Sequence, residues 1–132
     1  MNVVDSSGWL EYFGDGPNAE AFAEPLAKPE ELVVPAISIF EVFKRVLQQR
    51  DETAAIQAAA LMQQGRVVAL DGSLAMAAAK LSVDLVLPMA DSIILTTARE
   101  FGAMLWTQDA DFDGIEGVRY LPAAKATTPR GR

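Results

Sequence analysis

Short apolar runs, several of them β-branched, alternate along this chain with longer segments whose apolar residues recur at three- and four-residue spacing. That alternation limits the fold more than any other feature. Asn2, Val3 and Val4 form an extended run closed by Asp5, and Ser6 and Ser7 then offer helix-start chemistry ahead of Trp9, Leu10 and Phe13. A turn cluster at 14–17 precedes a short helix that Asn18 can cap, running through Phe22 and stopped soon after by Pro25. Val33 and Val34 lead through Pro35 into a helix carrying Ile39, Phe40, Phe43, Val46 and Leu47. The spacing predicts an alanine-rich helix over 53–64 closed by Gly65, a strand at 67–70, and a helix capped by Asp71 or Ser73 that runs through Leu81. A helix over 91–101 ended by Gly102, a buried strand at 103–106 and a last strand at 118–121 complete the pattern. Short apolar strands that each feed a helix predict an α/β fold: a three-layer α/β/α arrangement around a central, mostly parallel sheet. A chain of 132 residues suits one domain, expected over 1–122, with 123–132 as a flexible C-terminal tail containing Lys125, Arg130 and Arg132.

Two absences narrow the chemistry. The chain has no cysteine and no histidine, which removes disulfides, thiol nucleophiles, thiolate or imidazole metal ligands and any Ser-His-Asp triad. Catalysis, if present, falls to carboxylates, and an all-oxygen ligand set suits a hard divalent cation such as Mg²⁺ or Mn²⁺. The formal charge of −7 argues on its face against a polyanionic partner, but two bound divalent cations would raise it by four and turn the local field toward phosphate. The longest apolar run, 33–40, is too short to span a membrane, and the N-terminus carries no basic leader, so a cytoplasmic protein without membrane contact is expected.

In a parallel α/β sheet, ligands collect at the C-terminal strand ends. Asp5 closes the first strand, Glu41 is expected in the first turn of the helix after Val34, Asp91 opens the helix before 103–106, and Asp109 follows that strand. Each has a structural explanation of its own. Ser38 and Glu41 match a capping box, and Glu41 also stands one turn before Arg45; Asp91 fits an N-cap, Asp109 an Asx turn, and Asp5 a cap for the helix at Ser6. Unrelated caps have no reason to gather at one edge of a sheet, however, so a shared pocket of oxygen ligands is expected. Crowding them should raise some of their pKa values, and a bound cation should stabilise the fold.

The spaced pattern VVDSS, SIFEV, PMADSIILTTAREFGAMLWTQDADF and GVRYL resembles a PIN domain, and in particular the small VapC-type toxins of toxin-antitoxin systems, from Met1 to about Leu121. The resemblance implies a Mg²⁺- or Mn²⁺-dependent ribonuclease toxin with Asp5, Glu41, Asp91 and Asp109 as the catalytic, metal-holding quartet. It also implies Thr107 and Ser6 as hydroxyls near the substrate, with Asp111 as an additional acid in the same loop. Homodimerisation and neutralisation by a cognate VapB-type antitoxin are further implied. Phe43, Lys44 and Arg45 depart from the smaller residues many relatives carry after the glutamate. Lys44, Arg45, Arg50 and Arg99 are candidate phosphate contacts, although helical spacing fits a solvated face as well. Trp9, Tyr12, Phe13 and Phe22 could serve a protein partner or the core.

Two other functions fit part of the pattern. A PIN-like RNA-binding or protein-interaction module would keep the acids only as caps. A receiver-like phosphoacceptor would use Asp71 at the end of the 67–70 strand, but it also needs a lysine after a later strand, where Thr107 and Gln108 stand instead.

Overall fold

The computed structural model describes residues 1–124; Lys125, Arg130 and Arg132 of the expected tail lie outside the described residues. The chain runs β1 (Asn2–Val4), α1 (Ser6–Phe13), α2 (Ala19–Leu26), a 3-10 turn (Pro29–Glu31), β2 (Val33–Pro35), α3 (Ala36–Gln49), α4 (Glu52–Met62), β3 (Arg66–Val68), α5 (Gly72–Leu85), α6 (Met89–Glu100), β4 (Met104–Thr107), a second 3-10 turn (Ala110–Phe112) and β5 (Val118–Tyr120).

Every strand pairing among the described residues is parallel: β1 with β4, β4 with β5, and β2 with β3. A parallel bridge from Asn2 to Leu32 sets β2 beside β1, which gives the spatial order β3-β2-β1-β4-β5. The chain builds outward from β1 to β3, then returns to the other side of β1 to lay down β4. The reversal point of such a sheet lies between β1 and β4, and there the connections diverge to open a crevice at the C-terminal strand ends.

Alternation along the strands divides the core in two. Val4, Val34 and Trp106 face α1 to α4 with Trp9, Phe22, Val42 and Met62, while Val3, Val33 and Leu105 face α5 and α6 with Ile94, Leu95 and Phe112. Burial on both faces is what near-continuous apolar strands require, and it accounts for the expected three layers. It also decides between the two readings of the aromatics, mostly for the core. Trp9 and Phe22 are core residues and Phe13 packs partly buried against them, leaving Tyr12 exposed. Gly8 permits this packing, because a Cβ there would stand 2.7 Å from both Val4 Cγ1 and a ring carbon of Phe22. Gly8→Ala is expected to cost about 2 kcal/mol in urea denaturation, since neither neighbour is free to retreat.

Several boundaries differ from the sequence-based expectation. Pro35, not Ser38, precedes the first residue of α3, so Glu41 lies in the second turn and the capping box does not form; the buried Ser38 hydroxyl has no protein partner. Proline's fixed φ suits the helix entry, which moves the start three residues upstream. Asn18 makes no side-chain cap bond. Asp71 does cap α5, accepting from Leu74 N at 2.8 Å, which gives it a structural role rather than a phosphoacceptor's. That helix passes the expected end at Leu81 and stops at Leu85, where Val86 turns left-handed (φ 55°) and the Ser82 hydroxyl donates to Leu87 O at 2.6 Å. Among the described residues no single helix is long and apolar enough to cross a membrane.

Candidate active site

The crevice at the β1/β4 switch point is a cleft of about 450 Å³ lined by Asp5, Ser6, Ser7, Glu41, Lys44, Arg45, Asp91 and Asp109, among others. Asp5 enters because it follows the last residue of β1, where its backbone N–H donates to Trp106 O at 2.8 Å and locks the strand end against β4. Asp91 enters from the first turn of α6, where the helix dipole favours a carboxylate. Asp109 follows β4 and Glu41 projects from α3. The structure therefore brings the expected quartet to one cleft. Asp111, the additional acid of the same loop, stands with them: carboxylate oxygens of Asp91, Asp109 and Asp111 all lie within 4.8 Å of one another.

Hydroxyls orient these acids. Ser6 Oγ donates to Glu41 Oε1 at 2.6 Å, joining α1 to α3. Ser7 Oγ and Thr107 Oγ1 both donate to Asp5 Oδ2, at 2.7 and 2.9 Å, and Thr107 Oγ1 accepts from Asp109 N at 2.9 Å. Thr107 is fully buried with its proton given to Asp5, so the geometry gives it a role in aligning Asp5 and Asp109 rather than in reaching a substrate phosphate. Asp109 Oδ1 accepts from Asp111 N at 2.9 Å; the expected Asx turn exists and at the same time sets both acids in place.

The electrostatics carry the mark of crowding. Burial pushes the Asp5 carboxyl above its ordinary value; hydrogen bonds from Ser7, Thr107 and the Ser6 backbone oppose this, and the charge of Asp109 adds to it. Asp91 is pushed up to about 7, by burial first and then by the charges of Asp109, Asp5, Asp111 and Glu41. No cation offsets these charges by direct pairing: the one ion pair among the described residues is the exposed Lys80–Asp84. The expected Glu41–Arg45 pair is not formed. Ser7→Ala, which removes a donor from a buried carboxylate, is expected to cost about 1–3 kcal/mol in chemical denaturation at pH 7.

Of the four candidate phosphate contacts, Lys44 and Arg45 line the cleft. Arg50 lines a separate depression with Leu10, Phe13 and Ala58, and Arg99 donates to Glu116 O at 3.2 Å. Sequence reasoning singled out Ser6 and passed over Ser7, its neighbour in the same Asp-Ser-Ser run. It also missed a clamp behind the site. Glu11 accepts from Asn18 N at 2.7 Å and from Gln108 Nε2 at 3.3 Å, while Asn18 Nδ2 donates to Gln108 Oε1 at 3.1 Å and to Pro122 O at 3.0 Å. The clamp holds the residue between Thr107 and Asp109, and it explains why Asn18 makes no cap bond.

The family comparison gives this parallel α/β fold a name. Residues 3–118 match the PIN domain family, and the chain belongs to it. Among solved structures it is similar to a toxin-antitoxin complex from Klebsiella pneumoniae, with 23% identity, a TM-score of 0.76, and 90% of this chain and 96% of that one covered. It is also similar to Mycobacterium tuberculosis VapC20, described as a sarcin-ricin loop cleaving toxin, with 19% identity, a TM-score of 0.71, and 88% and 95% covered. A third is VapBC2 from Rickettsia felis bound to a promoter DNA fragment, with 13% identity, a TM-score of 0.69, and 92% and 97% covered. No curated protein matches the chain in sequence.

Proposed function

We propose that this PIN domain is a divalent-metal-dependent endoribonuclease, a toxin that cleaves RNA phosphodiester bonds in the cytoplasm until a cognate VapB-type antitoxin neutralises it. The observation that carries the reading is the convergence of Asp5, Glu41, Asp91 and Asp109 on one cleft, with Asp111 beside them. The oxygen-only donor set and the raised Asp91 carboxyl fit a hard cation, for which crowded acids are ligands rather than a liability. Asp91, Asp109 and Asp111 would hold Mg²⁺, or Mn²⁺ in its place, with Asp5 and Glu41 completing the site directly or through water. When bound, such an ion acidifies a contacting water and screens charge on the phosphodiester.

The chain's own residues supply the rest. Asp109, its carboxylate fixed by the bond from Asp111 N, would present that carboxylate to the ion and to the attacking water together. Thr107 and Ser7 hold Asp5, and Ser6 holds Glu41, so the site is preorganised and no histidine is needed. Membership of the family and likeness to toxin-antitoxin complexes support the antitoxin partner. Exposed Met76, Val83, Val86 and Met89 on and around α5 and α6 offer apolar surface to a second copy, in line with a homodimer.

Hydrolysis of a mixed RNA pool with Mg²⁺, with EDTA and by Asp91→Asn tests the reading: cleavage is expected only in the first case. Cleavage surviving both interventions would contradict it. Calorimetry with Mn²⁺ separates the nuclease from a non-catalytic PIN-like binding module, in which acids serving only as caps would release no appreciable heat.

A further inference from the structure

One wall of the acidic cleft is α3, and Phe40, Glu41, Lys44, Arg45 and Gln48 lie along it. Phe40, Lys44 and Gln48 follow one row of four-residue spacing and Glu41 and Arg45 the row beside it, so a ring, a carboxylate and two cations form a stripe two rows wide on the cleft wall. Phe40 is 64% exposed and belongs to neither core cluster, an unusual place for an apolar ring this close to crowded acids. Lys44 Nζ stands 5.8 Å from the ring centroid. Neither Lys44 nor Arg45 has an ion-pair partner among the described residues, and the nearest acid on the stripe, Glu41, is taken by Ser6.

From this we propose that Phe40, Lys44 and Arg45 form a nucleotide-binding shelf for unpaired RNA. Phe40 stacks on a base next to the phosphodiester that the acids address, and Lys44 and Arg45 neutralise phosphates running along α3. The inference rests on the nuclease reading and names the residues by which that site selects its substrate. Stacking on a side chain needs a base whose face is free, which a loop or single strand provides and an A-form duplex does not. Two cations at the mouth of the cleft also lower the cost of bringing a polyanion to a chain of net charge −7, and that complementarity favours RNA over a second copy or an apolar peptide as the occupant.

The test uses the full chain carrying Asp91→Asn, with Mn²⁺ present, and measures anisotropy of a short fluorescein-labelled mixed-sequence RNA as single strand and as duplex. The single strand is expected to bind about ten-fold or more tightly than the duplex. Phe40→Ala and Phe40→Leu are expected to weaken it about ten-fold, and Phe40→Trp to restore it. Lys44→Gln combined with Arg45→Gln should lower the logarithmic salt slope by about 1.4. In the chain with Asp91 intact, the Phe40 variants should raise KM for RNA cleavage while kcat stays within about two-fold. Phe40 is exposed, so its variants are expected to keep the parental thermal midpoint, which separates lost stacking from lost folding. If the intact chain binds Mn²⁺ and cuts RNA but Phe40→Leu leaves affinity and KM unchanged, or duplex binds as well as single strand, the shelf is wrong and the nuclease reading stands. Dissociation of a dimer by Phe40→Ala, with RNA affinity unchanged, would assign the ring to a second copy and overturn the shelf. An intact chain that neither binds Mn²⁺ nor cuts RNA removes both.

Discussion

Asp91→Asn is expected to lower RNA cleavage by a factor on the order of 10³ and, in the same preparation, to make the metal-free protein more stable. The two effects have one cause. Burial first, and then the charges of Asp109, Asp5, Asp111 and Glu41, make an ionised Asp91 costly, so a neutral amide there removes both the desolvation and the repulsion that a cation would otherwise offset. It also removes a ligand from the tightest trio of oxygens, within 4.8 Å of one another. Asparagine nearly preserves the shape, and α6 gets no side-chain cap from this position, so little structural support is lost. At pH 8 without metal the gain should be about 1–2 kcal/mol once solvent screening of a partly exposed group is counted, read as a rise of a few degrees in Tm. A residue kept only for structure would show the reverse: activity near normal and stability reduced.

The metal-free protein should lose stability as pH rises from about 4 to about 7, then level off. The folded state holds the Asp91 proton more tightly than the unfolded chain does, with a pKa of about 7 against an ordinary 3.8. Protonation therefore contributes stability that is fully present below the unfolded value and is lost as pH passes through the folded one. Asp5, raised in the same direction, adds to the slope. Thermal denaturation in EDTA at pH 5 and pH 8 is expected to give the higher midpoint at pH 5, and saturating Mn²⁺ should reverse much of the loss at pH 8 by binding the folded state alone. A midpoint in EDTA that rises with pH would contradict the electrostatics of the cleft.

Much of this was legible in the sequence because strand ends are legible. Val3-Val4, Val33-Val34 and Leu105-Trp106 are apolar on both faces, so their ends, and the acids Asp5 and Asp109 just beyond them, could be placed without knowing the sheet order. Glu41 lies in the helix that the spacing predicts, but in its second turn rather than its first. Ser38 and Glu41 spell a capping box, yet Pro35 had already fixed the helix entry, and a local signal lost to a stronger one three residues upstream. Ser7 was missed because Ser6 and Ser7 are the same residue type in succession; only the rotation between adjacent helix positions sends one hydroxyl to Glu41 and the other to Asp5. The clamp of Glu11, Asn18 and Gln108 leaves no trace in spacing, since Gln108 lies 97 residues from Glu11 and 90 from Asn18 and meets them only when α1 packs against β4. Trp9 and Phe22 were ambiguous for a related reason: an aromatic residue reads alike in a core and on a docking surface until Gly8 is seen to make room for both Val4 and Phe22.

For this chain to cut RNA, a few carboxylates from four separate segments must meet closely enough to bind one kind of ion. Anomalous diffraction from crystals of the full chain soaked in Mn²⁺ tests this most directly. A peak in contact with Asp91, Asp109 and Asp111, with Asp5 and Glu41 reached directly or through water, is the predicted result. A map with no peak at the C-terminal ends of β1 and β4, under Mn²⁺ concentrations that support RNA cleavage in solution, would contradict it.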